Sequence, residues 1–307
     1  MILTVSLSPC IDVNIEVDSL SVGMTHPIIS KRIFYTGKSI NVSIGLARLG
    51  VQTFVTGFMY EDNGRLFEQE LHREGINYKF VWSQGRVREN YKFVDHKSML
   101  TEFNDISPEI TPAKQDDLIR IVEEFAPNCE AVFIAGSLAK GMTPDFYKRL
   151  LDAVPARVKR VVDSEGERLR YALSCGVDLI KPNIDELQNT LGIRVKNRAQ
   201  ALEGAKQLAA MGAKRVLLSL GKEGAIITDG EKSYYCKSNN VAMNSTAGAG
   251  DAMVAAAMRA LVRGAGSEEI LRSGVAAGTA AVIMPDVISF QREKYEEIFS
   301  SLFVKEI

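Results

Sequence analysis

Asp251 closes a short glycine-rich stretch, Gly248-Ala249-Gly250-Asp251, and a long apolar run over 252–262 follows it. Glycines ahead of a helix let several backbone N–H groups converge on one point, and the helix dipole adds positive potential there. Such a turn is an anion hole. A carboxylate in the first helical turn, beside a bound phosphate, is placed to take a proton. A plainer reading stands beside it: Asp251 favours the positive helix start electrostatically. Asn244, Ser245 and Thr246, just ahead, are turn and capping types. Asn183 and Glu186 have the spacing of a helix cap and its third residue, the pattern of a capping box.

Two glycine patterns fail as nucleotide motifs. Gly37-Lys38-Ser39 ends like a P-loop, but the place of the earlier glycine falls at Arg32 or Ile33. Gly248-Ala249-Gly250 opens like a dinucleotide fingerprint, but Met253 stands where a third glycine belongs. It also lies near the C-terminus, whereas such fingerprints sit on the first βα unit.

Elements that position these residues can be read from periodicity. Apolar runs at 2–7, 51–57, 131–135, 160–162, 179–180, 216–220 and 225–228 predict strands. Helical patterns at 39–49, 114–125, 144–153 and 199–211 lie between several of them, and the chain after Ala249 reads as mainly helical. Strand and helix in alternation predict an α/β fold, a mostly parallel sheet with helices on both faces. Two segments, about 12–35 and 86–104, break the rhythm. Alternating Val13, Ile15, Val17 and Tyr91, Phe93 predict antiparallel strands of a small β lid, or else an edge extension of the main sheet. The expected organisation is a single domain over 1–307 carrying this lid. Its exposed apolar alternation predicts a homodimer.

Composition narrows the class. Of 307 residues, 46% are hydrophobic and 24% charged, which supports a large core and excludes a disordered chain. A net charge of -1 shows no basic excess for nucleic acid. Cys10, Cys129, Cys175 and Cys236 form no CxxC pair, so free thiols in a reducing cytoplasm are expected. His26, His72 and His96 lack ligand spacing. No apolar run approaches the ~20 residues of a membrane span, and the first ten residues lack the basic start of a signal peptide.

The stretch from Asn244 through Asp251 to Ala255 closely resembles the C-terminal signature of the ribokinase-like (PfkB) sugar kinases. Gly37-Lys38-Ser39-Ile40-Asn41-Val42-Ser43, with Ala47-Arg48-Leu49-Gly50, resembles their N-terminal signature. Further matches run along the chain: Ser8-Pro9-Cys10-Ile11-Asp12, Ala135-Gly136-Ser137-Leu138, Val162-Asp163-Ser164-Glu165-Gly166, Lys181-Pro182-Asn183 and Ser219-Leu220-Gly221. Together they look most like the phosphofructokinase branch.

That resemblance implies roles. Asp251 would be the base that takes the proton from the sugar hydroxyl attacking ATP, with Gly248 and the amides of Ala249 and Gly250 completing the catalytic turn. Asp12, Gly37 and Asn41 match sugar-gripping positions. Arg88, in Val87-Arg88-Glu89-Asn90, matches a phosphate clamp, and Ser137 and Lys38 would add donors. Lys181, Asn183, Ser219 and Gly221 match nucleotide-facing positions, and Gly278 and Thr279 lie where the adenine is walled. Asn183 and Glu186 would organise Mg²⁺ through water.

Three departures from the branch pattern stand out: Ser8 for Asn, Thr36 for Gly, and His26 near where relatives carry a basic residue reaching the neighbouring subunit. The leading expectation is an ATP- and Mg²⁺-dependent kinase of a ketohexose phosphate, fructose 1-phosphate ahead of tagatose 6-phosphate. Arg88 argues against the alternative of a free-sugar or nucleoside kinase. The intact turn at 248–251 argues against a non-catalytic sugar-phosphate sensor.

Overall fold

The computed structural model describes residues 1–97, 99–239, 241, 247–284 and 290–307. Asn244, Ser245 and Thr246 lie outside the described residues.

The chain opens with β1 (Ile2–Ser6), β2 (Cys10–Glu16), β3 (Ser30–Thr36) and α1 (Lys38–Arg48). Next come β4 (Thr53–Tyr60), α2 (Arg65–Arg73), β5 (Asn77–Ser83), β6 (Arg88–Val94) and β7 (Leu100–Asn104). The middle contains α3 (Pro112–Phe125), β8 (Ala131–Ala135), α4 (Phe146–Asp152), β9 (Lys159–Asp163), α5 (Gly166–Ser174) and β10 (Leu179–Ile180). It continues with α6 (Ile184–Leu191), α7 (Arg198–Ala210), β11 (Val216–Ser219), β12 (Ala225–Thr228) and β13 (Ser233–Cys236). The last part holds α8 (Ala249–Val262), α9 (Ser267–Ile283), α10 (Arg292–Ser301) and β14 (Val304–Glu306).

Ten strands form one sheet in the order β14-β13-β12-β11-β10-β9-β8-β1-β4-β5. From β11 to β5 every pair is parallel; β12, β13 and β14 add an antiparallel edge. The strands are apolar on both sides because both faces are covered. Val132 and Ile134 of β8 pack into a core shared with α2 to α7, whereas Ala131, Phe133 and Ala135 pack into one shared with α8 to α10. Helix α1 contributes to both, through Ile40 and Ile44 on one side and Val42 and Leu46 on the other. This is the predicted α/β layering. No helix is long and apolar enough to cross a membrane among the described residues.

A separate four-stranded lid has the order β3-β2-β6-β7. The antiparallel expectation holds for β2 with β3 and β6 with β7, but β2 and β6 run parallel. The reason is topological. β2 follows β1 and β6 follows β5, and both leave the same end of a parallel sheet, so they enter the lid in the same direction. Large apolar side chains stay exposed on the lid and its loops, among them Val22, Met24, Ile29, Leu100 and Phe103.

Candidate active site

Gly248 starts the chemistry by its backbone. Its φ of 76 is left-handed, which glycine adopts without strain, and it caps α8. The first helical hydrogen bond runs from Ala252 N–H to Gly248 C=O (2.9 Å), so the amides of Ala249, Gly250 and Asp251 precede the ladder. Successive residues of this turn face different spaces. Gly248 and Asp251 line a polar cavity of ≈ 450 Å³ between the lid and the strand ends. Ala249 and Gly250 line a second cavity of ≈ 520 Å³, walled partly by Met253, Val275 and Val282.

Asp251 opens one side to the polar cavity, but its carboxyl sits deep among protein atoms. That burial pushes its pKa up to about 6, with Asp163 adding to the rise. Asn41, whose Nδ2 donates to Asp251 Oδ2 at 2.7 Å, opposes the rise, as do Lys38 and Lys181. The Asn41 amide is itself held: Thr36 Oγ1 donates to its Oδ1 at 2.9 Å.

Behind the base lies a charge cluster. Lys38 Nζ stands 2.8 Å from Asp163 Oδ1 and 3.2 Å from Glu186 Oε1. Lys181 Nζ stands 3.6 Å from Asp163 Oδ2. Burial alone would lower the Lys38 pKa; Asp163 and Glu186 instead hold it above the ordinary lysine range. Burial would likewise raise Asp163, but Lys181 and Lys38 keep its carboxyl below the usual value. Lys38 lines the polar cavity, yet its ammonium is engaged by these carboxylates rather than reserved for a phosphate. Glu186 also accepts from Asn183 N–H while Asn183 Oδ1 accepts from Glu186 N–H, completing the predicted capping box.

The lid supplies the opposite wall. Arg88, Asn90 and Lys92 alternate along β6 and all line the cavity. Arg88 donates through Nε to Ser8 Oγ and through Nη1 to Asn90 Oδ1, both at 3.0 Å. Asp12 Oδ1 accepts from Asn90 (3.1 Å), and Asp12 Oδ2 pairs with Lys92 Nζ (2.9 Å). Ser8, one of the departures, therefore helps hold the guanidinium. Its neighbour Cys10 is not a nucleophile at neutral pH, since burial pushes its thiol up to about 12. His26 bonds the backbone of Ser21 within its own loop.

The structure brings the sequence-derived residues into two groups. Asp12, Gly37, Lys38, Asn41, Arg88, Ser137 and Glu186 join Gly248 and Asp251 around the polar cavity. Lys181, Asn183, Ser219, Gly221, Gly278 and Thr279 join Ala249 and Gly250 around the other. Sequence reasoning missed Lys92, Asp163 and Arg168 in the first, and Lys222, Ser238 and Met253 in the second. Lys92 was discoverable from strand alternation two places beyond Asn90. Asp163 lay inside the matched segment Val162-Asp163-Ser164-Glu165-Gly166, but that match gave it no role of its own.

Among the described residues no three His, Cys, Asp or Glu side chains gather into a metal cage. Asp163 Oδ2 is buried without a hydrogen-bond partner, and Glu186 lies close by in the same cluster. Two carboxylates on the wall of the polar cavity fit Mg²⁺, which keeps much of its water and leans on substrate phosphates.

Residues 1–293 match the family model described as pfkB family carbohydrate kinase. The chain is 30% identical to a 1-phosphofructokinase of Borreliella burgdorferi over 298 residues, 96% of this chain and 95% of that one. It is 26% identical to a tagatose-6-phosphate kinase of Staphylococcus epidermidis over 311 residues, the whole of both. The crystal structure of phosphofructokinase-2 from Escherichia coli in complex with potassium superposes with a TM-score of 0.89 at 26% identity, covering 98% of each chain.

Proposed function

Since the chain belongs to the pfkB family of carbohydrate kinases, we propose that it transfers the γ-phosphate of ATP to a hydroxyl of a ketohexose phosphate. The carrying observation is the turn at 248–251, whose neighbouring residues face opposite cavities. A sugar in the polar cavity meets the carboxylate of Asp251. A nucleotide in the other cavity brings its phosphates to the amides of Ala249 and Gly250. The apolar wall of Met253, Val275 and Val282, with Thr279, suits a flat base.

Asp251 takes the proton from the attacking hydroxyl, and its raised pKa makes it a better base than an exposed carboxylate while leaving it ionised at neutral pH. The amides at the start of α8 stabilise charge on the group in transit. Lys181 and Lys222 add positive charge to the nucleotide cavity. When bound, Mg²⁺ neutralises phosphate charge; Asp163 and Glu186 are the residues that would hold it, through water.

Arg88, whose guanidinium on the lid wall is held by the neutral Ser8 and Asn90, favours a phosphorylated sugar over a free one. The identities to a 1-phosphofructokinase and a tagatose-6-phosphate kinase point the same way, and fructose 1-phosphate is the first choice. The exposed apolar lid supports a homodimer formed through it, with the whole chain acting as one kinase domain.

The deciding experiment is a coupled ADP-release assay with fructose 1-phosphate, tagatose 6-phosphate, fructose 6-phosphate and the free sugars. The expected order of kcat/KM places fructose 1-phosphate first and every free sugar far below. A free sugar or nucleoside turned over best would overturn the reading.

A further inference from the structure

We propose that Thr36 is a positioning residue for the base, acting through Asn41. The inference rests on the reading of Asp251 as that base. An ionised carboxylate only accepts hydrogen bonds, so Asn41 must present Nδ2 to Asp251, as it does at 2.7 Å. Its Oδ1 then points the other way and needs a donor. The hydroxyl of Thr36 supplies one at 2.9 Å.

Both partners are nearly closed to water, Thr36 at 3% exposure and Asn41 at 8%. A buried amide oxygen that loses its donor is costly, and the amide turns to find another partner. Thr36 therefore sets the plane of Asn41, and Asn41 sets the carboxylate. The backbone makes the reach possible. Thr36 ends β3, and Gly37, with φ of +146, turns the chain directly into α1. A Cβ on Gly37 would stand 3.3 Å from Pro9 Cα, so the turn is also tightly packed.

The charged groups around Asp251 are Asp163 from β9, Lys38 from α1 and Lys181 beyond β10. None of these contacts Thr36 in its bond to Asn41. Weakening that bond loosens Asn41, a neutral donor that stabilises the ionised base, so the pH at which the base titrates moves up.

The test uses Thr36→Val, which keeps the shape and removes the hydroxyl, and Thr36→Ser, which keeps the hydroxyl. With the best sugar phosphate, Thr36→Val should lower kcat about tenfold with KM for sugar and ATP within about twofold. The acid limb of its kcat/KM profile should shift upward by up to about one unit. Thr36→Ser should recover most of kcat and the original limb. Thr36→Ala serves the same purpose if the valine variant does not fold. A raised sugar KM with unchanged kcat and limb would instead make Thr36 a direct substrate contact and overturn the proposal. So would wild-type kinetics in Thr36→Val while Asp251→Asn is inactive. An active Asp251→Asn variant would remove the base reading itself, a separate failure.

Discussion

Gly45 of α1 lies against Ala255 of α8 so closely that a Cβ on Gly45 would fall 2.9 Å from the Ala255 methyl. One turn earlier on each helix stand Asn41 and Asp251, bonded at 2.7 Å. The missing side chain at Gly45 thus sets the separation at which the amide reaches the base.

Gly45→Ala should separate the two helices by a few tenths of an ångström or more. Overpacking of a full core costs about 1–3 kcal/mol. A lower midpoint in urea unfolding is expected, together with a reduced kcat at nearly unchanged KM for ATP. Unaltered stability and turnover would show that the seam has slack.

Asp251→Asn should lose about 10²–10⁴ in turnover while binding nucleotide almost normally by calorimetry. It should also be more stable than the parent at neutral pH. The folded parent holds a proton that its unfolded chain releases between about pH 4 and 6, so raising pH through that window costs it stability. The asparagine variant escapes this, a gain of about 1–3 kcal/mol at pH 7 that vanishes below about pH 4.

For the same reason, activity of the unmodified protein should fall as the medium is acidified. A base with pKa raised to about 6 is protonated below that value and cannot accept a proton. A kcat/KM profile should show an acid limb near pH 6, steepening toward about tenfold per unit. A flat profile down to pH 4.5 would take the titrating base away from Asp251.

Arg88→Ala should raise KM for the sugar phosphate roughly ten- to hundred-fold, as expected for loss of a charge-assisted contact of about 1.5–3 kcal/mol. KM for ATP should stay put. Arg88→Lys should recover little, because Ser8 and Asn90 orient a planar fork that a single ammonium cannot copy. An unchanged sugar-phosphate KM in Arg88→Ala would dismiss the clamp.

The lid proposal has its own check. Leu100 lies on β7, every residue of which is exposed, and its side chain is 56% accessible in the isolated chain. Light scattering should give a dimer at micromolar concentration. Leu100→Lys should shift it toward monomer by placing a charge in the apolar interface. A monomeric parent with full activity would refute the dimer.

Much of this site was legible because its signals are local. The glycines before Asp251 describe a helix start within four residues, and Asn183 with Glu186 describes a cap within one turn. The central strands showed as apolar runs because a parallel sheet covered on both faces needs nothing polar there. The edge strands β13 and β14 were not legible: they are as short as some central strands but lack their apolar run, reading Ser-Tyr-Tyr-Cys and Val-Lys-Glu. Nor was the direction of β2 against β6, since alternation is identical in parallel and antiparallel pairs. Lys38 meets Asp163 across 125 positions and Asn41 meets Asp251 across 210. The glycine-rich turn singled out Asp251, the family resemblance singled out Lys38 and Asn41, and Asp163 was missed as a site residue. Which amide turns to which carboxylate, and which lysine neutralises which buried charge, depends on helix separation and strand register, and only the packed chain determines those distances.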